Sequence, residues 1–317
     1  MSARLWVLGS VDPEMEAIED LLMQTGEEVR YATVGGERVR SGTAYQMDPI
    51  PGDQVPWGGI ITLVECDAAA PIVLVPRGYC RVHRVDHHRS DDPGYGRPPA
   101  EFLSASSLGQ VISELARFDA LPQEWGRYGA PKTESGGFRP HYVRGWMIGM
   151  ARGEAAVPHD LVLAAAADHC LAAAYRGECP GVVPDDLMQW RVRTRAAHQG
   201  RIEGEILADI ERARETLREA PGLVLYKRTP APSNAVTCAD LRGLHVPELP
   251  EASAREGQCF VANGLPGPDG RVKVVCQSGT PEQIRAFMTS WAPAHGLTDI
   301  YGDPARGFAG GYVPGAR

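Results

Sequence analysis

The segment RVHRVDHHRSDDPGYG, residues 81–96, sets an Asp-His-His triplet directly behind an apolar run, with two more aspartates just beyond it. Imidazole is the usual neutral nitrogen ligand of a metal and carboxylate the usual hard oxygen ligand. Alone, the triplet is better explained by satisfied core or surface histidines. What decides is whether other parts of the chain deliver carboxylates to the same place. Glu14 and Glu16 follow the first apolar run, RLWVLGS, and Glu65 closes another, GGIITLVE. Read singly, Glu14 and Glu16 suit a helix start, where carboxylates favour the macrodipole. Asp168, beside His169 in an alanine-rich run, reads equally well as a ligand or as a cap. Were Glu14, Glu16, Glu65 and Asp168 to converge, their mutual repulsion would call for a positive partner. A metal ion is the simplest one, with Arg81, Arg84 or Arg89 as the alternative.

The elements that must position these groups are readable in outline. RLWVLGS predicts a buried strand, and DPEMEAIEDLLMQTG a helix with Asp12 as N-cap, Pro13 in the first position and Gly26 at the stop. EEVRYATVG, GGIITLVE and PIVLVPRG predict further strands leading into YCRVHRVDHH. SASSLGQVISELARFDAL and HDLVLAAAADHCLAAAYRG predict helices, and residues 122–140, rich in Gly and Pro, an exposed excursion. Strands alternating with helices imply an α/β domain with a doubly wound, mostly parallel sheet, whose ligands gather at the carboxyl ends of its strands. RIEGEILADIERARETLREA carries Ile202, Ile206, Ile210 and Leu217 at helical spacing. From Gly222 onward the pattern is short strands and turns with one helix, TPEQIRAFMTSWAPAHG. The domains expected are therefore 1–198, a connecting helix over 199–220 and a smaller α/β domain over 221–317. RVRTRAA (191–197) reads as a solvated helix face, and Trp125, Trp146, Trp190 and Trp291 as packing anchors. No internal repeat is present.

Composition narrows the function. A chain of 317 residues, 43% hydrophobic and 23% charged, is an ordinary globular protein, and its formal charge of −8 argues against a surface that coats long duplex nucleic acid. Seven cysteines, an odd number without a CxxC pair, point to a reducing cytoplasm rather than a disulfide framework. The first residues reach carboxylates too soon for a signal peptide, and no apolar run is long enough for a membrane span.

The order of these pieces resembles the DHH phosphoesterase superfamily with a DHHA1-type C-terminal domain, a group that includes RecJ-like exonucleases and nano-RNA phosphodiesterases. The first motif of that family is a strand followed by H-x-N-P-D-x-D-A-I-G-S. SVDPEMEAIED matches its shape with Pro13, Ala17 and Ile18 in register, Glu14 and Glu16 at the two aspartates and Ser10 at the histidine. TLVECDAAA offers Glu65 as the strand-closing carboxylate of the second motif, ahead of Asp67. VDHH is the third motif, FLSASSLGQVI resembles the ASS-x-G helix start that follows it, and Asp168 is the fourth. The likeness spans most of residues 5–177 and, more loosely, 222–315.

The resemblance implies two divalent metals, manganese first and magnesium as the alternative, that share a carboxylate and stand about 3.5–4 Å apart. Carried over by position, Glu65 would bridge, Glu14 would serve one metal, and Glu16, His87 and Asp168 the other. Asp86 would orient His87, and His88 would face the phosphate. In the tail, RGFAGGYVPG keeps Gly310 and Gly311 of a phosphate-approaching glycine loop, with Tyr312 at its histidine and Arg306 as a phosphate partner. Gln277 and Ser278 stand where the family has a strand-ending Arg-Ser, and Arg89 joins the expected substrate contacts. The departures are concentrated: Ser10 removes a nitrogen ligand, and three Asp-to-Glu exchanges lengthen the ligand arms, so one ion or two would suit the set. The expectation is a metal-dependent phosphoesterase acting on a nucleotide, short oligonucleotide or cyclic dinucleotide held between the domains. The alternative is an inactive nucleotide-binding sensor on the same scaffold. No membrane or long duplex partner is expected, and a homo-oligomer is compatible with the sequence.

Overall fold

A computed structural model describes residues 4–55, 58–68, 80–118, 120–121, 157–227, 235–266 and 270–313. The expected strand PIVLVPRG, the excursion at 122–140, Trp125 and Trp146 lie outside them. The chain divides into two compact units, one of residues 1–95 and 101–168 and a second of 96–100 and 169–317. The division therefore falls between Asp168 and His169 rather than at residue 198.

In the first unit, β1 (Arg4–Leu8) is buried from Leu5 onward, as a continuous apolar run in a parallel sheet should be. Helix α1 (Pro13–Gln24) starts as its sequence dictates: Asp12 is extended, and its Oδ1 accepts the Met15 N–H at 2.8 Å. The expected second strand is split. β2 (Glu28–Tyr31) pairs with β1, whereas β3 (Thr33–Val34) turns back onto β4 (Glu37–Arg38) across Gly35 and Gly36. Both glycines have positive φ, 61° and 85°, the conformation that a two-residue hairpin turn demands. β5 (Ile60–Val64) and β6 (Arg81–Val85) complete a parallel sheet in the order β2-β1-β5-β6. Its register aligns Leu8 with Tyr31 and Val64, and Val64 with Val85, so the carboxyl ends of all four strands are level. Leu5, Val7, Ile61, Leu63 and Cys66 join Ala32, Val39, Ala44 and Met47 in one core cluster. Short α2 (Phe102–Ala105) precedes α3 (Ser107–Arg117), which packs against α1 and β6.

Helix α4 (His159–Tyr175) is alanine-rich as expected and breaks its helical geometry at Cys170. In the second unit, α5 (Pro184–Gln199), α6 (Glu203–Glu219) and α7 (Leu249–Glu256) share a cluster with the sheet, built on Val192, Ile206, Ile210, Leu217, Leu249 and Phe260. The stretch expected to connect domains thus buries Ile206, Ile210 and Leu217 in the second unit, whereas Ile202, at its N-cap, is exposed. That sheet runs β11-β12-β10-β9-β8-β7, with β7 (Gly222–Lys227), β8 (Ala235–Asp240), β9 (Phe260–Pro266), β10 (Val272–Gln277), β11 (Thr298–Asp303) and β12 (Phe308–Val313). Among the described residues of this sheet, only the β8–β9 pair is parallel. Strand alternation sends Phe260 and Ala262 to the α5–α7 cluster, and Val261 and Cys276 to a second cluster with Ile284, Phe287 and Trp291. The latter cluster includes α8 (Pro281–Ala286) and the π turn Phe287–Trp291 that continues it. The fold class is α/β in both units. Trp190 and Trp291 are buried anchors, as expected. The face 191–197 is only partly solvated: Arg193 and Ala197 are exposed, whereas Arg191 pairs with buried Glu251 and Arg195 with buried Glu248.

Candidate metal centre

Level strand ends bring the chemistry together. After β1, the Gly9 N–H donates to the Val64 carbonyl at 2.9 Å, and after β5 the Glu65 N–H donates to the Val85 carbonyl at 2.9 Å, so the ladder runs one step past the strands. Gly9 must be glycine, because a Cβ there would stand 2.5 Å from the Glu65 carbonyl oxygen. Glu65 itself has φ 51°, a left-handed backbone that costs about 1 kcal/mol or more in a non-glycine residue. Such strain tends to be kept where it aims a functional side chain.

The carboxylate that this backbone aims meets the triplet. His87 is fully buried, with Nε2 at 2.8 Å from Asp168 Oδ2 and 3.4 Å from Glu65 Oε1. The His88 ring lies edge-on to it, centroids 4.5 Å apart, with Nδ1 at 4.0 Å from Glu65 Oε1. One ligand atom from each of Glu65, His87, His88 and Asp168 falls within 4.8 Å of all the others, so this group could hold a metal ion. Glu65 Oε1 is buried and accepts no hydrogen bond from the described residues. A buried carboxylate oxygen left so is costly unless a cation or proton reaches it, which is the fit that a metal requires.

Asp86 is placed differently from expectation. Its Oδ1 takes His88 Nδ1 at 2.8 Å and the backbone N–H groups of His87 and His88 at 2.7 and 3.0 Å, while Oδ2 accepts the Tyr45 hydroxyl at 2.9 Å. It therefore orients the His88 ring rather than that of His87. Burial alone would raise its pKa; the bond and charge of His88, then the Tyr45 bond and the His87 charge, outweigh it and hold it at about 2. His88, expected to face phosphate, stands among the ligand atoms.

The two carboxylates of α1 part company. Glu14 is buried; Oε1 accepts the Leu108 N–H at 3.0 Å in the first turn of α3, and Oε2 accepts no hydrogen bond from the described residues. Burial, then the charges of Asp168 and Glu65, push its carboxyl well above the ordinary range. Glu16 is exposed. Once Pro13 begins the helix, positions two apart point to opposite sides, so both could not face the strand ends. Asp12, read from sequence only as a cap, faces the same charges. Burial, Glu65 and Asp168 push its carboxyl up to about 8. The signal for that was positional: Asp12 follows the strand whose end must lie beside Glu65.

Of the arginines near the triplet, Arg84 is engaged by Asp67 and Asp91. Arg89 holds its guanidinium carbon over the Tyr45 ring, 3.4 Å from the centroid.

The expected phosphate loop of the tail is not a loop. Gly310 and Gly311 lie inside β12, opposite Val275 and Val274 of β10. Their need for glycine is packing: a Cβ on Gly310 would stand 2.4 Å from the Tyr301 hydroxyl, and one on Gly311 3.2 Å from Leu297 Cδ2. Gln277 ends β10 opposite Phe260 and Phe308. Ser278 has φ 56° and a hydroxyl 2.8 Å from that of Ser253. Arg306 Nε donates to the His169 carbonyl at 2.7 Å.

Fold and site together define an α/β protein with a carboxylate–imidazole group at the carboxyl end of a parallel sheet. No protein-family model matches the chain, and no curated protein does. Among solved structures, a pGpG-specific phosphodiesterase, PggH from Vibrio cholerae, aligns over 98% of this chain and 93% of that one, with 13% identity and a TM-score of 0.34. A likeness of that score carries no argument, and the chemistry has to be read from the groups themselves.

Proposed function

We propose that the chain is a metal-dependent phosphoesterase acting on a small phosphorylated substrate such as a nucleotide, short oligonucleotide or cyclic dinucleotide. The observation that carries this reading is the convergence of Glu65, His87, His88 and Asp168 ligand atoms within 4.8 Å. Two imidazoles with two carboxylates suit manganese ahead of magnesium, since magnesium prefers an all-oxygen shell. A divalent cation bound there supplies a Lewis acid for a phosphoryl oxygen and lowers the pKa of a coordinated water. Glu65 and Asp168 would hold the ion together with the two imidazoles, and Asp86 would fix the tautomer of His88. Of the expected substrate contacts, Arg89, Arg306, Gln277 and Ser278 stay in this reading, whereas Gly310 and Gly311 are committed to β12; Arg89 lies next in sequence to the triplet.

The second reading, an inactive nucleotide-binding sensor, is favoured by a specific departure: Ser10 offers no imidazole, and Glu14 spends one oxygen on α3. Metal analysis of the purified protein, followed by hydrolysis of bis(p-nitrophenyl) phosphate with manganese, separates the two. Under the enzyme reading, His87→Ala and Glu65→Ala each abolish turnover and weaken manganese binding while circular dichroism stays native. Wild-type turnover in either variant removes the ligand assignment. Bound manganese without turnover of any phosphodiester supports the sensor.

A further inference from the structure

We propose that Tyr45 serves this centre with both parts of its side chain: the hydroxyl orients the Asp86–His88 pair, and the ring carries Arg89 as the receptor for a phosphate oxygen of the substrate. The inference deepens the phosphoesterase reading and rests on it for the identity of the ligand.

Tyr45 is firmly placed. It lies in a single 3-10 turn, Ala44–Gln46, whose flanking Ala44 and Met47 are buried in the core of the first unit. The turn is clamped to the chain just after Glu65, with the Met47 N–H on the Asp67 carbonyl at 3.0 Å and the Asp67 N–H on the Ala44 carbonyl at 3.1 Å. From there the hydroxyl reaches Asp86 Oδ2 at 2.9 Å. Asp86 is fully buried, and its other oxygen is occupied by His88 Nδ1 and two backbone N–H groups. Without the Tyr45 hydroxyl, a buried anionic oxygen would lose its donor, and the carboxylate would rotate to recover one. Rotation would release His88.

The ring does separate work. The Arg89 guanidinium carbon stands 3.4 Å over the ring centroid, and a guanidinium held over an aromatic face can still offer N–H donors to phosphate oxygens. Arg84, which precedes the triplet on β6, is neutralised by Asp67 and Asp91. Among the described residues no carboxylate pairs with the Arg89 guanidinium; its backbone N–H is held by Asp92 Oδ2 at 2.6 Å. Arg89 is thus a positioned cation next in sequence to the candidate ligands, with Tyr45 as a positioning residue for both it and Asp86.

Three variants of the full chain, Tyr45→Phe, Tyr45→Leu and Arg89→Gln, separate the two roles. Calorimetric titration reads manganese alone, then adenosine 5′-monophosphate as an anionic probe, with circular dichroism as the fold control. Tyr45→Phe keeps the ring and loses the hydroxyl, so manganese affinity should fall about ten-fold with probe affinity retained. Arg89→Gln should show the reverse, a probe affinity about ten-fold weaker with manganese binding retained. Tyr45→Leu should lose both. The proposal is overturned if Phe and Leu behave alike, if Arg89→Gln binds the probe as wild type does, or if the wild-type protein does not bind it at all. The expected pattern in a protein that turns over no phosphodiester would sink the enzyme reading alone.

Discussion

Gly94 controls the buried histidine of the triplet from the outside. Its N–H donates to the Asp86 carbonyl at 3.1 Å, and a Cβ there would stand 2.0 Å from the Ala105 carbonyl oxygen and 2.6 Å from His87 Cβ. Neither of these neighbours is the far end of a flexible side chain, so neither can swing aside. Gly94→Ala should therefore destabilise by about 1–3 kcal/mol and displace His87, lowering the urea midpoint and manganese affinity together. Gly42→Ala, with nothing within 4 Å of the added carbon, is the neutral control. An unchanged midpoint in Gly94→Ala would show that the His87 pocket is loose. At this scale the triplet and Glu65 were legible because residue type and strand-end position coincide in the sequence. Tyr45 was not, because a tyrosine in a polar turn carries no periodic signal, and its partner Asp86 lies 41 residues away.

The start of α3 shows how an element can compete with a metal for a carboxylate. Ser106 is its N-cap, accepting the Gly109 N–H at 3.1 Å, and Glu14 accepts the next donor, the Leu108 N–H. One Glu14 oxygen thus satisfies a helix start 94 residues distant in sequence. Glu14→Gln can still accept that bond and relieves repulsion from Asp168 and Glu65. It should keep the urea midpoint and lose less manganese affinity than Glu65→Ala does. Glu14→Ala leaves the buried Leu108 N–H without an acceptor and should cost about 1–3 kcal/mol. A Gln variant as metal-deficient as Glu65→Ala would instead make Glu14 a full ligand. The cap of α1 and the apolar stripe of α6 were readable from local spacing alone. Where a polar face lands was not. Arg191 and Arg195 read as solvated because their partners, Glu251 and Glu248, lie 60 and 53 residues away and belong to no common periodic pattern.

At the scale of the whole molecule, a chain of formal charge −8 concentrates buried acid at one sheet end, and this fixes the pH dependence of the metal-free protein. Asp12 is raised from 3.8 to about 8, first by burial and then by Glu65 and Asp168, and Glu14 is raised well above 4.5 by burial, Asp168 and Glu65. A carboxyl so raised holds its proton in the folded state after the unfolded chain has released its own. Between those values the native state binds more protons, so stability falls as pH rises through the window from about 4 to about 8. Asp86 acts in the opposite sense. Lowered from 3.8 to about 2, it contributes stability above the ordinary value that is lost as pH falls through its own. The metal-free protein should accordingly be most stable on the acid side of neutrality and weaken steadily towards about pH 8. Manganese supplies the positive charge that the protons otherwise provide, so its binding should release protons and remove most of the decline. Urea midpoints measured across that range with chelator and with manganese test this directly, and Asp12→Asn should flatten the chelator series without added metal. A chelator series that is flat, or that rises in parallel with the manganese series, would mean that these carboxyls are solvated and do not meet at one point.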